Sequence, residues 1–426
     1  MRLLYFAKMN RRAILALVLI TTFILSVSAA CGSSDDDTSG KPQFAFGLDA
    51  QVLASGGDAT AVRALEFAPD GRIFYAQQFT GQIRIINQDG TLQVPPFVSL
   101  QVANYLDLDW GLTGMALDPQ FSTNHYVYAF YTAPVSENIG RPTIVRYTDS
   151  NGTGTEQRIL SDDFPETFLN HQGYNANGEL HFGPDGFLYA SVGDYDQGTA
   201  KPAEGGHPEL VNDSASPIGK LLRLNKADGK AAAGNPFESD AAADPRVFAS
   251  GFREPFSFTF DPTSGAIYGT DNTTVSCEEL NVILPGKNYG WGTMGDFPFA
   301  NCAAGSGEQP IHNLSREGTQ PGDFLSFAEV QGLTVLKGSK YTQLTDGIVA
   351  CQSQKSVVQE KASPGALVRM TITGATVSAT DIIVRDCKGT AYARNGEVYY
   401  SNATQLMKLV QGTAASGDQQ APPSGG

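Results

Sequence analysis

Residues 67–76 read Phe-Ala-Pro-Asp-Gly-Arg-Ile-Phe-Tyr-Ala, and residues 182–190 read Phe-Gly-Pro-Asp-Gly-Phe-Leu-Tyr-Ala. Each is an apolar strand, a Pro-Asp-Gly turn and a second apolar strand. Proline presets φ at the turn and glycine takes the corner where φ is positive. Leu117-Asp-Pro, Phe260-Asp-Pro-Thr-Ser-Gly-Ala-Ile-Tyr and Ala393-Arg-Asn-Gly-Glu-Val-Tyr-Tyr are degenerate copies. Partner strands follow: Gly81-Gln-Ile-Arg-Ile-Ile after the first copy, Thr143-Ile-Val-Arg-Tyr after Tyr126-Val-Tyr-Ala-Phe-Tyr, and Gly219-Lys-Leu-Leu-Arg-Leu after the copy at 182. No helical period is sustained beyond residue 31. A strand–turn–strand unit recurring roughly every 50 to 80 residues is the pattern of radially repeated sheets. It predicts an all-β chain: a single six-bladed β-propeller with four-stranded antiparallel blades over residues 43–412, then a Gly/Ser/Ala/Pro/Gln-rich disordered tail at 413–426.

Composition agrees. Of 426 residues, 46 are glycine and only 17% are charged, against 41% hydrophobic. Lys and Arg number 29 and Asp and Glu 44, a formal charge of −15. A chain this acidic is repelled by nucleic acid, so that partner class is set aside.

The N-terminus reads as an export signal. Arg2, Lys8, Arg11 and Arg12 precede an apolar run, Ala13–Val27, then the small residues Ser28-Ala29-Ala30 and Cys31. Met9 can itself serve as the start. Residues 1–30 resemble a lipoprotein signal peptide, with Cys31 as the acylated residue and 31–42 as a lipid-anchored polar tether. Plain secretion and an uncleaved anchor are the other readings of the same run. The expected location is the bacterial cell envelope, facing the periplasm or in the outer membrane, with lipid as the only membrane contact. Setting Cys31 aside, four cysteines remain. In an exported protein an even number reads as disulfides; of three possible connectivities, neighbour pairing of Cys277 with Cys302 and Cys351 with Cys387 is expected, because each pair would close one blade-sized loop. No Cys-x-x-Cys or nearby His pair favours a metal site.

Seven stretches in order resemble the glucose/sorbosone dehydrogenase family: Glu66–Ala76, Trp110–Phe121, Gly178–Tyr189 with Gly193-Asp194, Gly219–Leu224, Asn235-Pro-Phe, Gly251-Phe-Arg-Glu-Pro, and Glu278-Glu-Leu-Asn followed by Asn288-Tyr-Gly-Trp. The resemblance spans residues 50–295 strongly and 320–410 weakly. It implies a propeller that holds pyrroloquinoline quinone (PQQ) with Ca²⁺ at one end of its channel and oxidises aldose sugars at C1, passing electrons to a periplasmic acceptor. The family pattern places His171 as the general base, Asp194 as the carboxylate orienting it, Arg253, Tyr289, Trp291 and Lys388 at the cofactor, and the carbonyls of Thr273 and Thr274 at the metal. A quinone with three carboxylates needs cations, and histidine supplies a base near neutrality.

Departures from the pattern leave a second reading open. Counted back from Gly178-Glu-Leu without a gap, the base position is Asn175, and His171 lies four residues earlier. Glu254 and Phe256 stand where the family has Asn and Gln, and arginines expected in the closing blades have no clear match. The alternative is a catalytically degenerate propeller that binds carbohydrate or protein at its channel mouth. A hydrolase or lactonase on the same fold class would need a shell of inward Asp, Asn and Glu around Ca²⁺, which the sequence does not assemble.

Overall fold

The computed structural model describes residues 42–103, 109–168, 175–176, 178–195, 207, 209–272, 278–291, 307–314, 326–356 and 365–412. His171, Thr273, Thr274, Cys31, Cys277 and Cys302 lie outside them.

Six antiparallel sheets form the blades. In order from the inner strand they are Val62–Phe67, Ile73–Gln77, Gln82–Ile86 and Val98–Ser99; Leu112–Leu117, Tyr126–Ser136, Ile139–Ser150 and Thr167–Phe168; Leu180–Phe182, Leu188–Val192, Lys220–Leu224 and Val247–Ser250; Phe258–Phe260, Ile267–Asp271, Glu279–Ile283 and His312–Asn313; Ser326–Leu336, Gly347–Ser356, Ala366–Thr373 and Thr376–Val384; Ala391–Arg394, Glu397–Ser401, Gln405–Gln411 and Leu48–Ser55. Blade 2 carries a fifth strand, Thr153–Ser161, paired to Ile139–Ser150. The outermost strand of blade 6 is therefore the first strand of the chain, Leu48 facing Gln411 and Ser55 facing Gln405. This pairing closes the ring and leaves no blade with a missing strand.

The apolar runs are continuous because each blade is covered on both faces. Six apolar clusters result, one in each seam between neighbouring blades. In the seam of blades 2 and 3, Phe130 packs against Phe164 with ring centroids 5.9 Å apart, and Tyr128 meets Phe182 edge to face. The Pro-Asp-Gly turns form as their chemistry dictates. Asp70 accepts the Arg72 N–H at 3.1 Å and Asp185 accepts the Phe187 N–H at 3.2 Å, while Gly71 and Gly186 stand at φ 91° and 80°. Cys351, in blade 5, is bonded to Cys387, on the segment entering blade 6.

The inner strands of all six blades line a channel. Toward the ends of these strands lies a cavity of about 200 Å³ bordered by Glu66, Glu179, His181 and Tyr392. The Tyr392 hydroxyl donates to Glu66 Oε2 at 3.2 Å. Burial lifts the Glu66 carboxyl to about 7, against the opposing pull of His181, Tyr392 and Arg394. Because the folded state then holds more protons than the unfolded chain between pH 4.5 and 7, stability falls as pH rises through that window. Glu66→Gln is expected to flatten the fall of melting temperature between pH 5 and 7, leaving the share due to the other buried acids. Parallel Tm–pH curves for parent and variant would refute this role of Glu66.

Candidate active site at one end of the channel

In each blade the segments entering the inner strand and those joining the second strand to the third lie at the same end of the channel. Asp194 follows the second strand of blade 3, Arg253 and Glu254 precede the inner strand of blade 4, and Asp271-Asn272 ends that blade's second strand. Trp291 arrives differently. The segment after Ile283 climbs beside the outer strand of blade 3, with the Tyr289 N–H on the Ser250 carbonyl and the Trp291 N–H on the Gly251 carbonyl, both at 2.9 Å.

Asp194 is fully buried. Its Oδ1 accepts Asn175 Nδ2 and its Oδ2 accepts the Trp291 indole N–H, each at 2.8 Å, while its own N–H donates to the Arg253 carbonyl at 2.7 Å. Asn175 and Tyr195 on either side have left-handed backbone, φ 56° and 53°. Such strain in non-glycine residues concentrates at functional sites. Asp271 accepts the Arg253 N–H on both oxygens at 3.1 Å and the Glu254 N–H at 2.7 Å, which fixes the turn that presents Arg253. The Arg253 guanidinium donates to the Asn272 carbonyl at 2.9 Å, lies 3.6 Å from Glu254 and sits 5.8 Å from the Trp291 ring. Asn272 in turn accepts the Val330 N–H at 3.2 Å, tying blade 4 to blade 5.

Carboxylates crowd this floor. Asp271 and Glu279 face each other across the second and third strands of blade 4. Burial raises them to about 7 and about 8, and each rise is reinforced by a neighbouring acid, Asp194 for Asp271 and Asp271 for Glu279. Arg253 pulls Asp271 the other way. A second arginine, Arg63, stands on the inner strand of blade 1, with its guanidinium 3.9 Å from the Phe256 ring of blade 4 across the channel.

The family model described as Glucose / Sorbosone dehydrogenase matches residues 60–378, most of the chain, from the inner strand of blade 1 into the outer strand of blade 5. The chain belongs to that family. The quinoprotein glucose dehydrogenase B of Acinetobacter calcoaceticus is 27% identical over 317 residues, covering 69% of this chain and 62% of the relative. An uncharacterized protein of Synechocystis is 28% identical over 250 residues, covering 53% of this chain and 55% of the relative. The chain thus spans little more than half the length of these relatives. A solved glucose dehydrogenase superposes with a TM-score of 0.69 at 22% identity, over 86% of this chain and 99% of that one, which shows the shared fold.

As a glucose/sorbosone dehydrogenase family member, the chain brings together three of the residues marked by the motifs: Asp194, Arg253 and Trp291. Tyr289 stacks on Phe252 with centroids 4.7 Å apart, and its hydroxyl bridges the Val282 carbonyl and the Leu284 N–H. Its described contacts seal the seam of blades 3 and 4. Lys388 is exposed on the segment entering blade 6 and donates its backbone N–H to the Ser401 carbonyl. Sequence reasoning did not mark Arg63, Asp271 or Asn272. A lone arginine within Val62-Arg-Ala-Leu is the one signal that points to the first. Among the described residues no group of three or more His, Cys, Asp and Glu could hold a metal ion.

The donor set here suits a polyanionic quinone only in company with a cation. A bare tricarboxylate would be repelled by Glu254 and Asp194, whereas three carboxylates with a divalent ion leave one negative charge for Arg253 and Arg63.

Proposed function

We propose that this chain oxidises aldose sugars at C1, using PQQ held with Ca²⁺ at the Asp194–Arg253 end of the channel. The reading is carried by Asp194, fully buried yet held by both oxygens beside the Arg253 turn. PQQ held there would supply the hydride acceptor for C1, and the cation the polarising charge. The chain's residues supply the rest. Arg253 and Arg63 provide the positive charge that selects an anion. By the family pattern the carbonyls of Thr273 and Thr274 would hold the cation. His171 takes the proton of the C1 hydroxyl, and Asp194 orients its ring and steadies the charge it gains. Lipidation at Cys31 and transfer of electrons to a periplasmic acceptor belong to the same proposal.

The second reading, a binding module for carbohydrate or protein, is favoured by one observation. Asn175 stands at the ungapped base position with its amide already on Asp194. Titration of the purified chain with PQQ and Ca²⁺ separates the two. Micromolar binding, followed by an absorbance change of the quinone on adding aldoses, is expected, with reduction lost in His171→Ala and kept in Asn175→Ala. Absence of binding would leave the channel mouth as a recognition surface.

A further inference from the structure

Lys220 opens the third strand of blade 3 and is fully buried, yet among the described residues no carboxylate pairs with it. Its ammonium group donates to three backbone carbonyls: Leu210 at 3.1 Å, Val211 at 2.6 Å and Ile218 at 2.8 Å. Burial pushes it down to about 7, with only Asp213 and Asp244 pulling the other way. A lysine so costly to bury is kept where its three hydrogens meet three acceptors.

Those carbonyls belong to the short helix Glu209–Asn212 and the segment after it. Both sides of the site hang from this segment. Asn212 Nδ2 donates to the Trp291 carbonyl at 2.8 Å and Asn212 Oδ1 accepts Asn288 Nδ2 at 2.9 Å. The Val211 carbonyl that receives Lys220 also receives the Gly251 N–H at 3.2 Å, two residues before Arg253. Just before the strand, the Gly219 N–H donates to the Gly193 carbonyl at 3.0 Å, one residue before Asp194.

We propose that Lys220 is the positioning residue of this site, clamping residues 210–218 so that Asn212 seats Trp291 against Asp194 and Val211 seats the turn that presents Arg253. The inference rests on the reading of this channel end as the functional one, but its test needs no cofactor. The chain has two tryptophans, so Trp110→Phe leaves Trp291 as the sole indole. In that background Lys220→Met and Asn212→Ala are each expected to red-shift the Trp291 emission and speed its quenching by acrylamide. The double variant should go no further than either single one, since both act through one chain of contacts. In the holoprotein, quinone affinity should fall about 10- to 100-fold, as it does when outer partners of a ligand site are removed. A Lys220→Met protein with lowered melting temperature but parental Trp291 emission and quenching would overturn the proposal. If Lys220→Met does not fold, Asn212→Ala decides alone: unchanged emission there breaks the link and overturns it. Failure of PQQ to bind, with the emission changes present, would count against the dehydrogenase reading and leave the positioning role standing.

Discussion

Asp194→Ala is expected to lower sugar-dependent quinone reduction about 10²- to 10⁴-fold, the usual worth of a positioned acid–base group. The carboxylate is fully buried and serves two donors at once, Asn175 Nδ2 and Trp291 Nε1, each at 2.8 Å. Alanine leaves both without that acceptor in a buried place, at about 1–3 kcal/mol for each orphaned group. On the proposed mechanism it would also leave the His171 base without the carboxylate meant to orient it, so proton transfer is expected to suffer beyond the loss of stability. Asp194→Asn separates the two effects: the amide keeps the volume and one acceptor but opposes one donor with its own NH₂. Melting curves and single-turnover reduction on the folded fraction are the measurements. Full reduction by a destabilised but folded Asp194→Ala protein would reduce Asp194 to a cap on the strand end.

Gly193→Ala, which alters no functional side chain, is expected to disable the same site. A Cβ built at residue 193 would lie 1.9 Å from the Asn175 carbonyl oxygen and 2.8 Å from its carbon. These are backbone atoms, so no rotamer relieves the overlap. The segment carrying Asn175 must move away from the strand that carries Asp194. The cost of such overpacking is about 1–3 kcal/mol. Gly186→Ala is the control, because at φ +80° it has nothing within 4 Å and pays backbone strain alone. Gly193→Ala should therefore lose quinone affinity where Gly186→Ala keeps it, in a titration run on both proteins at a temperature where both are folded. Equal affinities would mean that the Asn175 segment yields freely and does not hold Asp194.

The legible part of the site follows from chemistry that is local in sequence. Asp194 follows a strand and a glycine, Arg253 sits in Gly-Phe-Arg-Glu-Pro, and Trp291 closes Asn-Tyr-Gly-Trp, so each is marked by its own neighbours. Tyr289 shares that last motif but its hydroxyl is spent on the Val282 carbonyl and the Leu284 N–H. A motif preserves the turn as well as the chemistry, and sequence does not say which residue serves which. Arg63, Asp271 and Asn272 carry no such mark, and Lys220, though inside the Gly219–Leu224 stretch, reads there only as part of a strand. Arg63 acts across the channel, and Lys220 works through carbonyls, which every residue has.

By itself the sequence determined the strand–turn–strand unit, its repetition and the apolar runs of blades covered on both faces, because Pro-Asp-Gly turns and period-two strands are set by residues a few positions apart. Only the tertiary structure decided that Leu48–Ser55 pairs with Gln405–Gln411 to close the ring, and that the segment after Ile283 climbs blade 3 to place Trp291 on Asp194. Those contacts join positions tens to hundreds of residues apart, and the backbone hydrogen bonds that pair the strands and carry the climbing segment are the same for any side chain.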